Sequence, residues 1–265
     1  MRIKQYIVTY NNNELLDKCL KSMSGVTHEI FIIDNFGNCE IEDYGLNVQI
    51  IKNELRPKFS TGHLSKDWNA GLVNGFQNLN NPDADIVILN QNDTIFKENY
   101  IDKLIEVHKQ FDFIQMGSGD EMMSFTPNAV KQVGLFDERF CNIGLQEADY
   151  FLRCLLYNKD KSSINDIEHD RIINKLKDDD IVLEKVLCGH YREEDYTMAS
   201  AKYHINSTNM FYFKWRNLPL DRNWSKIPSE YDISIIRPNL SNIMYPYFEK
   251  DIATLVEQNF IHNFN

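Results

Sequence analysis

The sequence predicts an α/β fold with a mostly parallel, doubly wound sheet. Three observations point to it. Short apolar runs alternate with helical periodicity between residues 3 and 108, in the order strand–helix–strand–strand–helix–strand–helix. The run Glu29–Asn35 and the run 84–89 are apolar without interruption, which suits strands buried on both faces. Three of the runs end in polar clusters, and ligands of open α/β sheets bind beyond the carboxyl ends of the strands.

Each element follows in order. Residues 3–8 (IKQYIV) form a first strand that stops at the turn-rich Thr9-Tyr10-Asn11-Asn12-Asn13. Leu15, Leu16, Cys19, Leu20 and Met23 then recur at helical spacing, with Asn13 as N-cap and Gly25 near the stop. Strands follow at 29–35 and 47–52 (NVQIIK). Leu64, Trp68, Leu72 and Phe76 predict a helix over 64–79, with Trp68 in its core stripe. Residues 84–89 (ADIVIL) form a buried strand ending at Asn90-Gln91-Asn92-Asp93-Thr94, and Ile101, Leu104, Ile105 and His108 mark the next helix. Beyond it come two short strands within 113–126, a short helix at 128–134 and a helix at 146–157. The highly charged stretch 158–180 reads as an exposed helix, an insertion or an acceptor-side lid, and the tail from 216 has little periodicity except near 248–257.

A chain of 265 residues can bury a full core without disulfide or metal staples. Its formal charge of −11 repels phosphate backbones, which disfavours a nucleic-acid polymer as main partner and bulk adhesion to anionic lipid but leaves room for a local basic pocket for a small phosphorylated ligand. The five cysteines are odd in number and contain no C-x-x-C, which reads as free thiols in a reducing compartment. The opening MRIKQYIVTY is too polar for a signal peptide, and no run reaches the ~20 apolar residues of a transmembrane helix. These features predict a cytoplasmic protein, free or peripheral to a membrane. Neither G-x-G-x-x-G nor G-x-x-x-x-G-K-[ST] occurs, which removes the main support for a Rossmann or P-loop reading.

A resemblance then emerges. The segments IVTYNNNELLDKCLKSM, EIFIIDN and ILNQNDTIF, and above all GLFDERFCNIGLQEADYFLRCLLYN (134–158), resemble in order and spacing the family-2 glycosyltransferases of the GT-A fold. The resemblance spans 3–215. It implies a GT-A-like catalytic domain over 1–215, with a nucleotide-binding half at 1–95 and an acceptor half at 96–215. The charged insertion lies within the latter, and 216–265 is a C-terminal extension packed on the same domain. It also implies transfer of a sugar from a nucleotide-diphosphate donor, a UDP-sugar for preference, to a glycan, lipid-linked or protein hydroxyl. The displacement would invert at the sugar carbon and use one carboxylate base and a divalent cation, Mn²⁺ or Mg²⁺.

The site residues carried over are these. Thr9, Tyr10, Asn11, Asp34, Asn35 and Asn92 would line the nucleotide. Arg56, Gly62, Lys66 and Asn69, in LRPKFSTGHLSKDWNAGL, match the piece beside the diphosphate, where Lys58 is a further basic candidate and Gly71 a small residue near the nucleotide. Asp93 matches the metal-binding aspartate, with Asn92 as the alternative register and His190 or His204 completing the site. Glu147 matches the general base, and Asp149 follows it. Structural roles stand beside these. Asn and Asp build turns; Glu147 caps a helix N-terminus; Asp149 pairs with Arg153 at i,i+4; Lys214 and Trp215 close the domain.

The motif NQND departs from the family pattern, because Asn90 and Asn92 stand where carboxylates often occur, and amide oxygens hold hard cations more weakly. That departure keeps a non-catalytic nucleotide- or sugar-binding module as an alternative. A sugar-phosphate nucleotidyltransferase is the other, disfavoured because TYNNNE lacks a glycine-rich, arginine-containing loop. Glycosylation of a nucleobase in DNA is disfavoured by charge.

Overall fold

The structure, a computed structural model, describes residues 1–53, 64–116, 122–138, 140, 146–147, 149–150 and 182–185. In chain order the elements are β1 (Ile3–Thr9), α1 (Asn13–Ser22), β2 (Glu29–Asp34), β3 (Asn47–Lys52), α2 (Leu64–Phe76), β4 (Ile86–Gln91), β5 (Thr94–Phe96), α3 (Tyr100–His108), β6 (Phe113–Met116), β7 (Met122–Phe125), α4 (Pro127–Val133) and β8 (Val182–Lys185). Residues 146–147 and 149–150 are helical.

Six strands form one sheet in the order β3-β2-β1-β4-β7-β6. The first four run parallel, and β7 and β6 are antiparallel additions on the β4 side. This is the mostly parallel α/β sheet that the alternation predicts. β5 and β8 pair antiparallel as a separate two-stranded sheet.

Alternation along the strands divides the core in two. Tyr6, Val8, Ile33, Val87 and Leu89 face one side and pack with Trp68, Leu72 and Phe76 of α2 and with α4. Ile3, Ile7, Ile30, Ile32, Ile86 and Ile88 face the other side and meet Leu16 and Leu20 of α1 and Leu104 of α3. With both faces covered, every residue of β1 and of β4 is buried. The helix α2 lies close to the sheet because Gly71 and Gly75 face it. A Cβ at Gly75 would stand 2.3 Å from Val87 Cγ2, and one at Gly71 would stand 2.8 Å from Leu89 Cδ2.

Some boundaries differ from the expectation. Asn12, not Asn13, caps α1: its Oδ1 accepts from Leu15 N–H at 3.1 Å. The helix α2 stops at Phe76 rather than 79, because Gln77 takes a left-handed φ of 55°. The strand β4 runs two residues later than 84–89 and carries Asn90 and Gln91 into the ladder. The helix α4 starts one residue early, with Thr126 as cap, Pro127 at its first position and Gly134 at φ 89° behind it. The strands β5 and β8 have no counterpart in the periodicity. The rest of the 146–157 helix, the 158–180 stretch and the 216–265 extension lie outside the described residues.

Candidate functional site

The parallel register places three polar clusters at one edge. Thr9 pairs with Asp34, and Val8 with Gln91, so the carboxyl ends of β1, β2 and β4 lie side by side. Adjacent strands are about 4.8 Å apart, so Thr9, Asp34 and the Asn92-Asp93 pair after β4 share one small region.

On the α1 side of this edge, Asn92 Nδ2 donates to Thr9 Oγ1 at 3.0 Å and reaches Asn12 O at 3.4 Å. That leaves the Asn92 carbonyl oxygen as an acceptor. Asn90 belongs elsewhere. Its Oδ1 accepts from Gln5 Nε2 at 2.8 Å, and its Nδ2 donates to Gln91 O at 2.8 Å, within the core beneath α1. Asn90 and Asn92, two residues apart, point to the same α1 face, but Asn90 sits inside the β4 ladder against Gln5 and Cys19, whereas Asn92 lies past Gln91, the last ladder residue, and so reaches the edge. Asp93 is buried.

Asp34 is buried, and its carboxylate organises the loop that follows. Oδ1 accepts from Phe36 N–H at 3.0 Å and Gly37 N–H at 2.8 Å, and Oδ2 accepts from Cys39 N–H at 2.9 Å. Asn11, at a left-handed φ of 48°, accepts from Asn38 Nδ2, and Asn13 Nδ2 donates to Asn38 O at 3.0 Å. The loop is therefore tied down from both sides. Above it Tyr10 stands edge-on to Phe36, with ring centroids 5.2 Å apart. Phe36 is 45% exposed.

On the α2 side, Asn35 Nδ2 donates to Asp67 Oδ2 at 2.8 Å, and Asn53 Nδ2 reaches both Asn35 Oδ1 at 2.8 Å and Asp67 Oδ1 at 3.2 Å. Asp67 is buried in the first turn of α2, where the helix dipole favours a carboxylate. One turn on, Asn69 is fully buried. Its Oδ1 accepts from Phe136 N–H at 2.8 Å, and its Nδ2 donates to Phe136 O and to Glu138 Oε1, both at 2.9 Å. Every polar atom of Asn69 is thus engaged within the protein, so it acts on the site through Glu138. Gly71, also expected beside the nucleotide, packs on Tyr6 and Leu89 instead.

Glu138 is half-buried. Burial pushes its carboxyl up to about 7; the Asn69 hydrogen bond and the Lys66 ammonium pull it down, and the charges of Asp67 and Asp137 add to the rise. Lys66 is half-buried. Farther along, Glu147 and Asp149 are buried on the helical stretch whose Tyr150 stacks on Phe136 with centroids 4.5 Å apart. Tyr150 also donates to Gly134 O at 3.1 Å, and Ser65 Oγ to Phe140 O at 2.9 Å. Phe140 is thereby pinned to α2, and Tyr150 to Gly134. Trp68 is core, as its stripe predicts, and its ring packs 5.0 Å from Phe136.

The structure therefore brings together Thr9, Tyr10, Asn11, Asp34, Asn35 and Asn92, and separately Lys66, Asn69 and Glu138. Arg56, Gly62 and His190 lie outside the described residues, as do Lys58, Arg153, His204, Lys214 and Trp215. Among the described residues no group of three or more His, Cys, Asp and Glu is arranged to hold a metal ion. Asp93 with the Asn92 carbonyl is a sparse oxygen set, which suits a cation held mainly by a substrate's phosphates. Sequence reasoning passed over Glu138, Asp67 and Asn53. Glu138 had a visible signal in GLFDERF, whereas Asp67 reads as an ordinary helix-start acid. No described helix is long and apolar enough to cross a membrane.

No protein-family model matches the chain, and no curated protein matches its sequence. Solved structures do. S. aureus TarS 1–349 in complex with UDP-GlcNAc is 10% identical over 83% of this chain and 68% of that one, with a TM-score of 0.49. A second structure of TarS 1–349 is covered over only 56% of its length. The catalytic domain of Drosophila beta1,4-galactosyltransferase 7, in complex with xylobiose, is 14% identical over 86% and 85%, with a TM-score of 0.44. The glycosyltransferase GlyE of Streptococcus pneumoniae TIGR4 is 12% identical over 89% and 62%, with a TM-score of 0.33. These are distant likenesses of fold.

Proposed function

We propose that the protein is a glycosyltransferase that moves a sugar from a nucleotide-diphosphate donor, a UDP-sugar for preference, to a hydroxyl acceptor. The observation that carries the reading is the convergence of Thr9, Asp34 and Asn92-Asp93 at the carboxyl edge of the parallel strands, where open α/β sheets bind nucleotides.

In this reading Tyr10, Asn11 and the loop ordered by Asp34 form the nucleoside wall. Asn35, Lys66, Arg56 and Gly62 would meet the diphosphate. Asp93, with Asn92 and His190, would hold Mn²⁺ or Mg²⁺, which when bound offsets the negative charge developing on the departing diphosphate. Glu147 takes the proton of the acceptor hydroxyl as the new bond to the sugar carbon forms and the bond to the phosphate oxygen breaks. One base on the face opposite the leaving group gives inversion. Asp149 stands two residues from that base.

Calorimetric titration with UDP, with and without Mn²⁺, tests the donor site on wild type and Asp93→Ala. Metal-dependent binding that weakens at least tenfold in the variant is the expected result. No UDP binding in either condition overturns the reading. The sparse donor set favours one alternative, a binding module without turnover. Release of UDP from UDP-hexoses that is lost in Glu147→Gln would exclude it.

A further inference from the structure

We propose that Glu138 contacts the transferred sugar, accepting a hydrogen bond from one of its hydroxyls. This rests on the nucleotide-sugar reading above and adds a residue that decides which sugar is accepted. The geometry is specific. Asn69, wholly buried in α2, spends both amide hydrogens and its carbonyl on the backbone of Phe136 and on Glu138 Oε1. One carboxylate oxygen is thereby fixed at 2.9 Å. The other makes no hydrogen bond among the described residues, and the side chain is only half-buried. A carboxylate held by one oxygen, on a half-buried side chain near a ligand edge, is built to accept from a ligand donor.

The surrounding charge says what kind of donor. Asp67 and Asp137 are close enough to raise the Glu138 carboxyl, so the Glu138 oxygen itself is a poor neighbour for a phosphate and a good one for a neutral donor. Among the described residues Lys66 is the cation acting on it. The part of a nucleotide sugar that suits a corner of three acids is its neutral portion, whose hydroxyls donate. Placement agrees. Glu138 lies on the α2 side of the edge, in the segment that leads to Glu147, while Thr9 and Asn92 lie on the α1 side.

The experiment compares UDP with UDP-glucose, UDP-galactose and UDP-GlcNAc by calorimetry on wild type, Glu138→Gln and Glu138→Ala. Glu138→Gln keeps an acceptor for Asn69. The expected result is UDP affinity within twofold of wild type in both variants and a loss of about tenfold for the preferred UDP-sugar. In wild type the sugar-dependent part of the affinity should rise between pH 6 and 8, as the carboxyl ionises, and in Glu138→Gln it should be flat. Equal UDP-sugar binding in wild type and variants would overturn the inference and leave the donor site standing. So would a parallel loss of UDP, which would make Glu138 a structural residue. Failure of wild type to bind UDP would overturn the nucleotide reading itself.

Discussion

Asp34 shows how much one side chain can organise. Its two oxygens collect three backbone N–H groups from a loop that would otherwise need water to satisfy them. Asp34→Asn replaces one of those oxygens with a donor that faces another donor. The expected cost is about 1–3 kcal/mol of stability, measured by urea unfolding, together with faster amide exchange at Phe36, Gly37 and Cys39. The sequence marked Asp34 as a strand-end acid but could not show which groups would claim it, because its partners are backbone and invisible in residue identity. The same limit applies to Asn90 and Asn92. They look equivalent in NQND and share one face, yet Asn90 sits inside the β4 ladder against Gln5 while Asn92, past the end of the strand, reaches Thr9 at the edge. A strand reading extended two residues further would have separated them.

Among elements, α2 is the one on which the site leans. It meets the sheet through Gly71 and Gly75 and presents Asp67 and Asn69 from its first two turns. Gly75→Ala gains helix propensity of about 1 kcal/mol. It also drives a methyl to 2.3 Å from Val87, whose branched side chain has little freedom to move. Overpacking costs about 1–3 kcal/mol, so we expect net destabilisation, read as a lower urea midpoint with unchanged slope. The helix itself was legible from Leu64, Trp68, Leu72 and Phe76, since an apolar stripe at this spacing has one solution. The strand β5 was not legible. It has three residues, and its partner β8 lies far along the chain, so nothing local announces it.

For the molecule as a whole, two half-buried histidines contribute to the acid response. His28 and His108 are each held down to about 4, chiefly by burial. Gln5 Oε1 can only accept, so His28 donates from Nε2 at 2.9 Å. The Phe111 carbonyl likewise takes the Nδ1 proton of His108 at 2.9 Å, and His108 Nε2 accepts from Ser124 at 2.7 Å. Both rings are therefore neutral in the fold, whereas an unfolded chain protonates them near 6.5. Between those values the unfolded state binds more protons at these two rings, so they make stability fall as pH falls from 6.5 toward 4, while Glu138, raised to about 7, opposes them. Urea unfolding across that range should show this slope, and His108→Gln should reduce it. The sheet order has a consequence of another kind. The strand β1 is synthesised first, yet it sits in the middle, and Ile3 must wait for Ile86 before its second edge is covered. A ribosome that has released β1, α1 and β2 has exposed an apolar strand edge with no partner yet made. Nascent chains stalled before β4 should recruit holding chaperones or aggregate, and those stalled well past β7 should not.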